Sequence, residues 1–283
     1  MSVVDAHHHF WDTNSDEFHY DWMTDDLAAI RGRFGPAELQ PALAERGVGH
    51  TVLVQTLPSL AETAGYLEIA ASTDFVAGVV GWVDLTDTGV AEAIARLKDR
   101  PDGNGLVGIR HQAQDEPDPD WLALPEVLRG VAAVAQAGLA YDVLIHSREL
   151  PAALALVRSR PECRFVVDHI AKPNIREHEI EPWASGMRAL AVLPNVWVKV
   201  SGMIEEAGWT TWRPDDIRPY VEMVLDWFGP DRLIFGSNWP VCLVAGSYGQ
   251  VVDALSMALV GIGEDDRSRI FGGNAIAAYR LAL

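Results

Sequence analysis

The chain has 283 residues, 49% of them hydrophobic, enough to bury a full core in one large domain or two average ones. Asp and Glu outnumber Lys and Arg by 40 to 22, and the net charge of −18 excludes a nucleic-acid backbone or an anionic membrane surface as partner while leaving a small ligand open. Two cysteines, Cys163 and Cys242, with no leader-like segment and no run near the roughly 18 apolar residues of a membrane span, read as reduced thiols of a cytoplasmic protein.

In chain order, short β-branched runs alternate with longer helical patterns. The runs are VVDAHHH, HTVLVQT, AGVVGWVD, LVGIRHQ, AYDVLIH, RFVVDHIA, VWVKVSG and RLIFGSN. Between them lie PAELQPALAERG, SLAETAGYLEIAAS, GVAEAIARLKDR and WLALPEVLRGVAAVAQAG, with apolar residues at helical spacing and Gly or Pro at many ends. Strand–helix alternation means βαβ units and a parallel sheet. Eight units in this length predict a single (β/α)8 barrel domain over residues 1–283. A doubly wound open sheet is the rival, but no Gly-rich phosphate turn follows the first run.

Polar residues gather at the C-terminal ends of the runs: His7 and His9, Arg110 and His111, His146, His169, Ser201 and Asn238. In a barrel these ends form the active face, and closure makes the first and eighth strands neighbours. Alternation along a strand puts His7 and His9 on one side and His8 on the other, so two imidazoles can share a metal. A tag remnant would be longer and sit in a Gly/Ser context; a hydrogen-bonded polar strand end is the other alternative. Four histidines converging on one mouth favour a metal site, although imidazole ligands alone do not fix the ion. His19, His50 and His178 read as structural or solvated.

Taken together, DAHHHFW, VVGWVDL, GIRHQAQDEPD, VDHIAKP, VKVSG and FGSNWPV, in that order, resemble the amidohydrolase superfamily, in its amidohydrolase-2 group with the sugar-acid lactonases. The resemblance covers nearly the whole chain. It implies a hydrolytic barrel acting on a sugar-derived lactone, with one divalent metal ion, zinc, on His7, His9 and His146 and with His169 beside substrate or water. It also implies that the eighth strand ends in Asp, within GSDWP, touching the metal and serving as general base. Here the sequence reads GSNWP, and an amide ligates weakly and cannot take a proton near neutral pH. Because the surroundings are intact, the expectation is an Asp-to-Asn inactivation at Asn238; a natural amide is the alternative. The fourth run ends in neither Lys nor Glu, so no bridge for a second metal is expected.

Arg110 offers a planar fork for a hydroxyl-rich substrate, against a salt bridge to Asp115 or Glu116. His111, Lys172, Trp11 and Trp239 are the other candidate substrate contacts. Lys199 should point into the barrel, toward substrate or toward Asp5 or Asp168. The long segment from Phe10 to about Gly35 reads as a lid. A non-oxidative decarboxylase is the rival enzyme, and a ligand-binding barrel without catalysis the rival class. No feature of the sequence excludes a homo-oligomer.

Overall fold

The computed structural model describes residues 2–283. Eight parallel strands follow in sequence order around one sheet: β1 (Val3–His8), β2 (Val48–Val54), β3 (Val76–Gly81), β4 (Leu106–His111), β5 (Ala140–Val143), β6 (Arg164–Val167), β7 (Val196–Val200) and β8 (Leu233–Phe235). Helices α1 (Pro36–Arg46), α2 (Leu60–Ala71), α3 (Val90–Lys98), α4 (Pro125–Gln136), α5 (Leu150–Ser159), α6 (Trp183–Ala191), α7 (Pro214–Phe228) and α8 (Tyr248–Ala258) alternate with them. This is the (β/α)8 barrel the strand–helix alternation predicts.

The ring closes where the site lies. Asn238 donates its backbone N–H to the His7 carbonyl (2.8 Å), and His9 donates to the Trp239 carbonyl (2.7 Å). Side chains from alternate strand positions fill the barrel floor: Val4, Ala6, Val52, Val54, Val80, Ala140, Val166 and Ile234, plugged by Tyr279 and Leu281 from the C-terminal segment. The opposite faces pack against the helices, as Leu53, Val79, Tyr141, Phe165, Val198 and Phe235 do. Both sides are buried, which is why these strands read as continuous apolar runs.

β1 carries an irregularity that decides the site. Asp5 pairs with Thr51 and His8 with Leu53, three steps on β1 against two on β2. Such a bulge re-aims side chains. Upstream of it Val4 and Ala6 join the interior and Asp5 faces out, accepting from the Ser237 N–H (2.8 Å) and the Tyr248 hydroxyl (3.1 Å). Downstream of it His7 and His9 turn inward and His8 faces out to the Thr51 hydroxyl (2.8 Å).

The segment after β1 is a lid with its own small core. A two-residue ribbon joins Trp11–Asp12 to Arg33–Phe34, and Trp11, Met23 and Ile30 pack with Tyr20, Trp22 and Leu27 against Val241 and Val244 after β8. No helix among the described residues is long and apolar enough to cross a membrane. Both cysteines are buried and free.

Candidate active site

A polar cavity of about 270 Å³ opens at the C-terminal end of the barrel, lined by His9, Arg110, His169, Lys172 and Asn238 on the barrel side and roofed by Trp22 of the lid. Thr56, Gln112, Gln114 and Asp115 add hydrogen-bonding groups, and Leu144 and Val241 an apolar edge. A larger cavity of about 380 Å³ lies between the lid and α2, lined mainly by aromatic and aliphatic groups such as Phe10, Trp11, Tyr66 and Ile69. Its titratable groups, among them Asp12, Glu17, Arg33 and Glu62, include no imidazole and none of the barrel strand-end residues, so the site is the mouth.

Under the mouth lies a buried charge network. Lys199, wholly inside the barrel, reaches Asp142 (2.6 Å), Asp168 (2.9 Å) and His7 Nδ1 (3.1 Å). Arg110 donates to Asp168 (3.0 Å) and to the Gln55 carbonyl. Tyr279 donates to Asp142 from below (2.7 Å). Burial alone would raise Asp168, but the Lys199 ammonium, His7 and the Arg110 guanidinium hold its carboxyl well below the usual range. Asp142, dominated by burial despite Lys199, is pushed up to about 6. The partners of Arg110 and Lys199 are therefore carboxylates on β5 and just past β6; Asp115 and Glu116 do not pair with Arg110, nor Asp5 with Lys199.

The imidazoles above this network are neutral. Burial, then the Lys199 charge, holds His7 well below its ordinary value; burial, then Arg110, does the same for His9; and burial dominates at His169. His9 Nδ1 meets the Val54 carbonyl (2.7 Å), so Nδ1 carries the proton and Nε2 keeps its lone pair, 3.2 Å from His7 Nε2. His169 Nδ1 pairs with the Ser201 hydroxyl (2.9 Å).

His169 sits on unusual backbone. His169, Ile170, Ala171 and Lys172 all have φ between 46° and 57°, a left-handed turn of four non-glycine residues. Each such residue costs roughly 1–2 kcal/mol, and strain of this kind clusters where function demands a geometry. The turn swings both His169 and Lys172 onto the mouth. Gly202, itself at φ +64°, packs against the ring, and a Cβ there would lie 2.6 Å from His169 Nδ1.

Several expected site residues do not line this cavity. β5 ends at Val143, so His146 falls three residues beyond it, half-buried in the turn before α5. It is outside the group of His7, Asp168 and His169, whose candidate ligand atoms lie within 4.8 Å of one another. His111 faces away from the mouth, stacked on Trp121 (4.1 Å) and bonded to Trp82 (3.1 Å) and Glu116 (2.8 Å). Trp11 belongs to the lid core and donates to the Ile30 carbonyl (2.9 Å); Trp239 packs on Phe10 and Phe34. In place of those two tryptophans the mouth has Trp22. Sequence reading named Asp168 as a partner of Lys199, and the structure pairs them at 2.9 Å, but it missed Asp142 and Glu205. An acid inside an apolar strand, as in AYDVLIH, was the available signal for Asp142.

Asn238 stands at φ +56° with its amide nitrogen donating to Glu205 Oε1 (2.8 Å). Glu205 follows β7 in the short helical turn Met203–Glu206; its carboxyl is enclosed, Oε2 has no hydrogen-bond partner, and burial pushes it up to about 7.

The donor set fits a small cation. His7 Nε2 and His9 Nε2 face each other at 3.2 Å, with His169 close to His7; because Lys199 donates to His7 Nδ1, a cation held there would displace the His7 Nε2 proton. Asp168 is already neutralised by Lys199 and Arg110, and β4 supplies no bridging carboxylate.

The profile of the Amidohydro_2 family, described as amidohydrolase, matches residues 4–281. An L-fucono-1,5-lactonase of Burkholderia ambifaria is 43% identical over 98% of this chain and 95% of its own length. An L-fucono-1,5-lactonase of Burkholderia multivorans is 35% identical over 98% and 96%. A crystal structure of an amidohydrolase from Burkholderia multivorans with bound zinc superposes with a TM-score of 0.94 over the whole of both chains at 33% identity. The chain belongs to the amidohydrolase family.

Proposed function

We propose that the protein opens a sugar-derived 1,5-lactone of the L-fuconolactone kind to the free sugar acid. The observation that carries this reading is the mouth itself: a neutral buried imidazole, His169, beside two fixed cations and a ring of hydroxyl- and amide-bearing side chains. The similarity to two L-fucono-1,5-lactonases over nearly the full chain supports the same substrate class. The volume of about 270 Å³ suits one monosaccharide ring.

Hydrolysis needs a water to add to the lactone carbonyl, a proton acceptor for that water and a proton for the leaving ring oxygen. His169 takes the water proton as the new C–O bond forms. The tetrahedral oxyanion develops near Arg110 and Lys172, whose charges are in place before reaction begins. Collapse breaks the ring C–O bond, and the imidazolium returns its proton to the leaving alkoxide. An imidazole depressed by burial is a weaker base, but its conjugate acid is correspondingly ready to protonate an alkoxide. Gln112, Gln114, Asp115 and Thr56 hold ring hydroxyls. When bound, a divalent ion on His7 and His9 would supply Lewis acidity at the carbonyl.

The finer point is Asn238. As the replacement of a family aspartate it leaves the chain short of a base, and Asn238→Asp would raise kcat by about 10²–10⁴-fold. As a native amide it predicts no such gain. The bond to Glu205 supports the native amide. The test of the function is hydrolysis of L-fucono-1,5-lactone by the purified chain, followed as acid release.

A further inference from the structure

Glu205 carries no motif, yet among the described residues it accepts the one side-chain hydrogen bond that the Asn238 amide makes. The Asn238 amide meets Glu205 Oε1 through its nitrogen, the orientation an ionised Glu205, which presents only acceptors, enforces. The planar amide then points Oδ1 away from Glu205. Among the described residues Oδ1 has neither a protein partner nor a place among the buried orphaned atoms, and Asn238 lines the mouth, so Oδ1 is the atom presented to the cavity. The backbone fixes the rest: Asn238 is locked by its N–H to the His7 carbonyl, at a left-handed φ that Asn tolerates well.

We propose that Glu205 is the positioning residue of the mouth, aiming the Asn238 amide so that Oδ1 accepts a hydrogen bond from the attacking water or a substrate hydroxyl. Asn238 is then the matched partner of a glutamate. An aspartate at 238 would set two carboxyl groups 2.8 Å apart in an enclosed pocket, where both cannot ionise; they would share a proton, and the fixed direction of the amide would be lost. Glu205 acts through Asn238 and does not itself line the cavity. The inference rests on the lactone-hydrolase reading for what Oδ1 binds.

Four variants test it, with kcat and KM measured on L-fucono-1,5-lactone. Glu205→Ala removes the acceptor and lowers kcat about tenfold or more with KM little changed, the scale of a lost hydrogen bond to a charged group. Glu205→Gln keeps Oε1 and recovers most of that loss. Asn238→Asp alone lowers kcat, and Asn238→Asp with Glu205→Gln restores it, because the introduced glutamine amide then donates to the new carboxylate. Equal effects of Glu205→Ala and Glu205→Gln, or a rise in kcat from Asn238→Asp alone, overturn the proposal. A second readout needs no turnover: the side-chain amide ¹H–¹⁵N signals of Asn238, assigned by their loss in Asn238→Asp. They should move toward free-amide positions in Glu205→Ala and stay near native ones in Glu205→Gln. If the parent chain opens no lactone, the lactone reading fails on its own, and amide signals unmoved by Glu205→Ala overturn the positioning role.

Discussion

Replacing Lys199 by methionine removes the one cation that touches both Asp142 and Asp168 in a pocket with no solvent exposure. The methionine fills a similar volume, so the loss is chiefly electrostatic. Asp168 keeps Arg110, but Asp142 is left with only the Tyr279 hydroxyl. Removing one partner of a buried ion pair costs about 3–5 kcal/mol. For a barrel of this size that lowers Tm by about 6–15 °C. The loss has a pH signature. Asp142 already sits at about 6, pushed up by burial, against an unfolded value of about 3.9. A carboxyl raised in the folded state keeps its proton where the unfolded chain has released it, so its contribution falls as pH rises through the folded value. Without Lys199 Asp142 moves higher still. The deficit of Lys199→Met should be smallest near pH 5, where Asp142 is protonated and needs no cation, and largest above pH 7. The assay is urea unfolding of both proteins from pH 5 to pH 8. A deficit that is constant with pH, or largest at pH 5, would refute the assignment of Lys199 as the counter-ion of Asp142.

Two further outcomes follow from the site. His7→Ala and His9→Ala should each strip bound metal, which elemental analysis should put at no more than one equivalent in the parent, while His8→Ala, facing Thr51, keeps it; equal loss from all three contradicts the inward pair. Gly202→Ala should lower kcat by at least about tenfold and stability by roughly 1–2 kcal/mol, since its Cβ strains a left-handed φ and displaces the His169 ring; kinetics indistinguishable from the parent would show that the ring has room to move.

The barrel was legible because its strands are buried on both faces and read as unbroken β-branched runs. The ordering of the site was legible because barrel chemistry gathers at strand ends, which is how His7, His9, Arg110, His169 and Asn238 stood out. What failed was reach. His146 looks like a strand end, but β5 stops at Val143, and three residues further on His146 stands near Lys172 and Asp115 without joining the cluster of His7, Asp168 and His169. His111 sits one step from Arg110, and one step on a strand is the opposite face. Trp11 and Trp239 pack on the lid and its neighbours instead of substrate, because a long loop must bury its own apolar surface. Asp142 announces itself only as an acid in an apolar strand and Glu205 not at all, because each acquires its role from a partner 57 or 33 residues away. The left-handed turn at His169–Lys172 contains no glycine to announce it.

The most direct measurement is the hydrolysis of L-fucono-1,5-lactone by the purified chain at neutral pH, as acid release against the spontaneous rate, beside His169→Ala. The parent should open the lactone with saturation kinetics, and His169→Ala should lose about 10²-fold or more of that rate. Acid release no faster than the spontaneous rate in the parent, or unchanged turnover in His169→Ala, would contradict the role given to this imidazole and the reaction assigned to the mouth.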